Sequence, residues 1–161
     1  MTKIEFENRV ENWAIDFVRS NSSLNLVEIF KQQNLSRISH PILNEMPVSK
    51  LCDFVCDFVL LVSRSEGGYE FIFINRYLKS IGIRDIGEMQ VYAKLAKPLH
   101  AFLISVNGHS SEINNILVSD TISDQLFRYD NTKHIILFAL RDGVVKESVL
   151  PVFSRESFIS W

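Results

Sequence analysis

The chain has 161 residues, 47% of them hydrophobic and 22% charged, which suits one enclosed core and leaves little for a second. Its formal net charge of -2 and pI of about 6.1 give no chain-wide electrostatic footprint for nucleic acid, so a local patch must carry any such binding. Apolar runs such as Phe58 to Val62 and Ile135 to Leu140 are far shorter than the roughly 18 residues of a membrane span; the N-terminal MTKIEFENRVENW lacks a signal-peptide core; and two cysteines without a secretory signal fit a reducing cytoplasm.

Thr2-Lys3-Ile4-Glu5 has the form of a capping box, so a helix is predicted to start there. Phe6, Val10, Trp13, Phe17 and Val18 recur at helical spacing, with Glu7, Glu11 and Arg19 off the stripe, which describes an amphipathic helix ending near Asn21-Ser22-Ser23. A second, shorter helix is predicted from Leu24 to Gln33, before a loop holding Pro41 and Pro47.

From Phe54 the character changes. FVCDFVLLV and YEFIFIN are short and dense in Val, Ile and Phe, and SRSEGG joins them with a Gly67-Gly68 hairpin signal, so they read as adjacent antiparallel strands. In Ile83-Arg84-Asp85-Ile86-Gly87-Glu88, Asp85 is placed to cap a helix and Glu88 to complete its box. Ile86, Met89, Tyr92, Ala93, Leu95 and Ala96 supply its buried face, and Pro98 ends it. HAFLISV then reads as a buried strand, parallel to an earlier one because a helix crosses over between them. Ser110-Ser111-Glu112 opens a helix through about Val118, and HIILFAL, Arg141-Asp142-Gly143 and VVKESVL form a closing hairpin. The order predicts an α/β sandwich with a mixed sheet.

The order of elements, together with Cys56-Asp57-Phe58-Val59-Leu60-Leu61-Val62, YEFIFIN and the helix Arg84 to Leu95, resembles the PD-(D/E)XK nuclease superfamily, whose fold is restriction-endonuclease-like. The similarity covers roughly Lys3 to Val106 and implies a three-layer sandwich with a central mixed sheet flanked by helices. It implies a single domain over 1–161: a helical part over about 1–45, a core over about 46–150 and a tail over 151–161. In that family an Asp opens one strand, a Glu-x-Lys closes the next, and a helix carries Gln-x-x-x-Tyr. Two carboxylates hold magnesium, which activates water and offsets charge on the scissile phosphate.

Carried onto this chain, the resemblance makes Asp57 the first acid, while Phe73 and Asn75 occupy the Glu-x-Lys positions and Glu88 with Tyr92 replaces Gln and Tyr. A Phe ring cannot ligate a cation and Asn75 carries no charge, so the site Asp57, Glu88, Tyr92 is degenerate. A relocated acid, Glu88 with Asp57 and with Glu7 or Glu11, would hold magnesium if activity remains, with Lys79 or Lys94 nearby. Glu70 alternates onto the opposite face of its strand from Phe73 and Asn75. Structural readings stand beside these: Asp57 as a strand-opening acid, Glu88 as a cap and Tyr92 as partial core.

Other chemistries find little support. Cys52 and Cys56 are four apart with no second ligand pair, and His40, His100, His109 and His134 are isolated. No phosphate-cradling glycine motif occurs, and Ser105, Ser110 and Ser111 lack a nucleophile elbow. Between Asn75 and Pro98, Arg76, Lys79, Arg84, Lys94 and Lys97 face only Asp85 and Glu88, a mild basic patch. Arg84, Lys94 and Lys97 are its candidate nucleic-acid contacts. Phe153, Phe158 and Trp161 end the chain and are expected to pack back over the domain. The leading expectation is a non-catalytic module that binds DNA or RNA, or a protein partner or second copy, without a cofactor. An active metal-dependent nuclease and a purely structural or oligomerising protein are the alternatives.

Overall fold

A computed structural model describes residues 1–46, 53–142 and 144–149. The first helix, α1 (Lys3–Ser20), begins with the expected box: Thr2 accepts from the Glu5 amide and Glu5 reaches back to the Thr2 amide. Next come β1 (Leu24–Lys31), a 3₁₀ turn (Leu35–Arg37), α2 (Pro41–Glu45), β2 (Phe58–Arg64) and β3 (Tyr69–Tyr77). The chain continues through α3 (Ile83–Ala96), β4 (His100–Ser105), α4 (Ser111–Leu117), α5 (Asp120–Phe127), β5 (Ile135–Arg141) and β6 (Val144–Val149). Cys52, Pro47, Gly143 and the tail 151–161 lie outside the described residues.

The six strands form one sheet in chain order. β1, β2 and β3 are antiparallel, β4 and β5 run parallel to β3, and β6 returns antiparallel. Alternation divides the core in two. Phe58, Leu60, Val62, Ile72, Ile74, Phe102, Ile104 and Phe138 meet α1 through Phe6, Val10, Ala14 and Val18. Val59, Leu61, Phe71, Phe73, Ala101, Leu103 and Leu137 meet Ile86, Met89 and Ala93 of α3, Ile113 of α4 and Phe127 of α5. The fold is α/β, with helices on both faces of a mixed sheet, an arrangement compatible with three layers. Each fully buried Phe or Leu contributes on the order of 1.5–3 kcal/mol.

Three sequence expectations need correction. Residues 24–33 are not a helix: 24–31 are the edge strand β1, so the segment 1–45 is not wholly helical. The register of β1 on β2 slips between Leu26 and Glu28, and this bulge makes its apolar residues recur at intervals that imitate a helix. In α3 the N-cap is Gly82, and Asp85 is the third residue of the helix, its carboxylate reaching back to the Gly82 amide at 2.9 Å. Glu88 takes no part in that cap, and Leu95 lies on the solvent face, 59% exposed. A further helix, α5, follows Ser119, whose hydroxyl accepts from the Ile122 amide.

His100 opens β4 with its ring edge-on to Phe17 and 5.6 Å from Phe102. Burial, then the nearby Lys133 and Arg64 cations, push its pKa down to about 4. The folded chain therefore resists protonation that the unfolded chain accepts near pH 6.5. Stability is full above that pH and declines as the pH falls toward 4. The loss attributable to His100 by pH 4 is about 3 kcal/mol, since each tenfold drop in proton affinity on folding is worth about 1.4 kcal/mol. His100→Phe should flatten that part of the profile in urea unfolding followed from pH 7 to pH 4; an unchanged slope would refute the assignment.

Candidate functional site

β3 and β4 end side by side at one edge of the molecule, and Asp57 enters that edge just ahead of β2. Counting outward from the Ser63 and Tyr69 pair across the hairpin brings Asp57 opposite Asn75. The Asp57 amide donates to Asn75 Oδ1 at 3.0 Å, and the Arg76 amide donates to Asp57 Oδ2 at 2.8 Å. Gln32 donates its amide to the Asp57 carbonyl at 2.9 Å and its side chain to Oδ1 at 3.5 Å. Phe73 is not part of this site. It pairs with Val59 two residues deeper and is fully buried, stacked on Phe71 and edge-on to Phe54. The residues beside Asp57 are therefore Asn75 and, one alternation further on the same face, Tyr77.

The sequence marks Arg76 only as one member of a basic patch, yet it joins the two faces of this edge. Its amide binds Asp57, while its guanidinium points to the α1 face and donates to Glu7 Oε2 at 2.5 Å. The Arg76 side chain is 4% exposed and that of Glu7 28%. One residue thus occupies both carboxylates that the sequence offers from α1 and β2. The hairpin count that places Asn75 beside Asp57 is the signal that could have found it. Glu11, the alternative α1 acid to Glu7 for a cation site, is spent on Lys31 at 2.6 Å.

Tyr77 sits among acids. Burial first, then Asp85, with Glu88 and Asp57 adding smaller contributions, raises its pKa against a smaller lowering effect of the Asn75 side chain, so it stays a neutral phenol. Asp85 is held by the Gly82 amide and by Lys79 at 3.4 Å. Glu88 accepts from the Tyr92 hydroxyl at 2.9 Å, the i, i+4 pairing expected on one helix face. The Tyr92 ring stacks on Phe54 with centroids 4.2 Å apart, and burial, followed by the bond to Glu88, pushes its pKa up to about 12.

This donor set does not suit a hard dication. Asp57 already accepts from an amide and an amide side chain, its neighbours are a carboxamide and a neutral phenol, and a guanidinium neutralises Glu7. Among the described residues no three His, Cys, Asp or Glu side chains come together in a way that could hold a metal ion.

The basic candidates separate. Helix α3 runs away from the Asp57 edge, so Arg84 near its start and Lys94 lie about 15 Å apart along its axis. Lys94 and Lys97 instead meet Arg128, Gln125, Asp130 and Asn131 around an open cleft of about 400 Å3 at the opposite end of the sheet. Arg128, from the end of α5, has no sequence signal pointing to it. Comparison with protein-family models, with curated proteins and with solved structures finds no match.

Carboxylates held together for metal binding repel, and removing one stabilises the fold, whereas a carboxylate that serves amide donors is missed. Asp57→Ala should therefore lower stability by roughly 1–3 kcal/mol. Glu7→Ala, which leaves the buried Arg76 charge without its partner, should cost roughly 2–4 kcal/mol. Urea midpoints check both, and a gain in stability for either would contradict the structural role.

Proposed function

We propose that this chain has a restriction-endonuclease-like core whose cutting centre has become a structural joint, and that it binds nucleic acid without cleaving it. The antiparallel pair β2 and β3, the crossover helix α3 and the parallel β4 support the element order on which the resemblance rests, to which β1 adds an edge strand. The observation that carries the non-catalytic reading is Arg76. It binds Asp57 through its amide and, on the opposite face of the strand, Glu7 through its guanidinium, so each acid already has a fixed partner. Asn75 stands in register with Asp57 and Tyr77 follows on the same face, and neither side chain supplies a carboxylate or a cation. Lys94, Lys97 and Arg128 around one cleft support the binding half of the reading.

A second reading, an active nuclease with Glu88 as its relocated acid, draws on the proximity of Asp85, Glu88 and Asp57 to Tyr77. One assay separates the two. Labelled single-stranded and duplex DNA and RNA are incubated with the protein and either magnesium or manganese, and affinity is measured across a salt series. The expected result is intact substrate and an affinity that falls steeply with salt, as counterion release requires. Metal-dependent cleavage lost in Asp57→Ala and Glu88→Ala would favour the second reading. An absence of binding even at low salt would leave only a structural or protein-binding role.

A further inference from the structure

The cleft at the far end of the sheet is built from the ends of two helices. Lys94 and the cap Lys97 come from α3, and Gln125, Arg128 and the segment through Asn131 come from α5 and its exit. Helix carboxyl ends carry partial negative charge and unpaired carbonyls, which ordinarily recruit nearby lysines. Here other side chains serve the carbonyls at the end of α5 and the Pro98 carbonyl just past α3. Gln90 donates to the carbonyls of Gln125 at 2.7 Å and Arg128 at 3.3 Å. The Tyr129 hydroxyl and Lys133 ammonium donate to the Pro98 carbonyl at 3.2 and 3.1 Å. Asp130, the acid of the cleft wall, accepts from the amide of its own neighbour Asn131.

Lys94, Lys97 and Arg128 are all exposed. Among the described residues neither lysine ammonium has an ion-pair partner, while Arg128 shares Asp124 with His134. The wall therefore holds three cations that the fold does not need for capping. The cleft, about 400 Å3, falls within the range of about 300–1,000 Å3 typical of sites that enclose small groups. It offers no aromatic face for a base, because the Tyr129 ring is buried.

We infer that this cleft is a phosphodiester-backbone site for single-stranded nucleic acid, at the opposite end of the sheet from Asp57. The inference rests on the nucleic-acid reading above. A flexible strand can bend to lay successive phosphates between α3 and the α5 exit, whereas a stiff duplex would rest on the rim of the cleft and meet fewer of its cations at once. Recognition is by charge, so it is indifferent to base identity.

The test is fluorescence anisotropy with fluorescein-labelled oligothymidylate and oligoadenylate, an unlabelled duplex and polyglutamate as competitors. Lys94→Ala, Lys97→Asn and Arg128→Ala are combined; Asn is chosen because residue 97 sits at φ 47°. The combination should weaken binding of both oligomers at least about tenfold and flatten the log–log salt slope by about two, at about 0.7 per phosphate contact. Lys79→Ala with Arg84→Ala, at the Asp57 edge, should change affinity less than about twofold, and circular dichroism verifies that both variants fold. The reverse pattern would overturn this cleft and leave the nucleic-acid reading standing. Duplex competing as well as single strand would overturn the strand preference, equal competition by polyglutamate would overturn nucleic acid as the ligand, and a wild-type chain that binds neither oligomer would overturn both readings.

Discussion

Strand β3 buries six consecutive residues, Phe71 to Arg76, and the rest of the molecule follows from that constraint. Side chains alternate, so a strand buried along its length must be covered on both faces. Its four apolar members, Phe71 to Ile74, supply both cores, with Phe71 and Phe73 on the α3 side and Ile72 and Ile74 on the α1 side. A continuous apolar strand excludes polar chemistry from its middle and confines it to the ends. Asn75, Arg76 and Tyr77 are where the apolar run stops, and the polar groups of four elements gather there because no position deeper in the sheet tolerates them.

At that edge one residue performs two tasks that a metal ion would perform elsewhere. A carboxylate drawn partly out of water needs either a cation or several donors in its place. Asp57 has the Arg76 amide and the Gln32 side chain as donors, and Glu7 has the Arg76 guanidinium. A guanidinium fixed by its own strand cannot exchange ligands or activate a water, so what it contributes is cohesion. It ties α1 to β3 and β3 to the lead-in of β2. The neutral Tyr77 fits this arrangement, since a phenol among three acids adds no further negative charge.

Much of this is legible in the sequence wherever a local pattern has a single physical meaning. The Thr2 and Glu5 box, the Gly67-Gly68 hairpin, the crossover to β4 and the two-faced strands each correspond to one short-range rule. β1 reads as a helix because its bulge replaces a two-residue period by spacings near three, which is also how a helix looks. The candidate site is legible only in part. Asp57, Glu88 and Tyr92 are identifiable by type and spacing, but the partner of Asp57 depends on the hairpin count, and a two-residue error exchanges Phe73 for Asn75. Arg76 stays hidden because its partner Glu7 is 69 residues away, and side-chain pairings at that range have no periodicity to betray them.

A net charge of -2 argues against an anionic partner only if charge is averaged over the whole surface. The fold does not average it. Asp57, Asp85, Glu88 and Glu7 collect at one end of the sheet, where Arg76 and Lys79 offset part of their charge. Lys94, Lys97 and Arg128 collect at the other. Helix α3, with its 14 residues, separates the two ends by about 21 Å along its axis, whereas at physiological ionic strength charges are screened beyond about 8 Å. Charges at the two extremes are thus largely screened from one another, and a ligand approaching the Lys94 cleft meets three cations set beside Asp130 and Asp124.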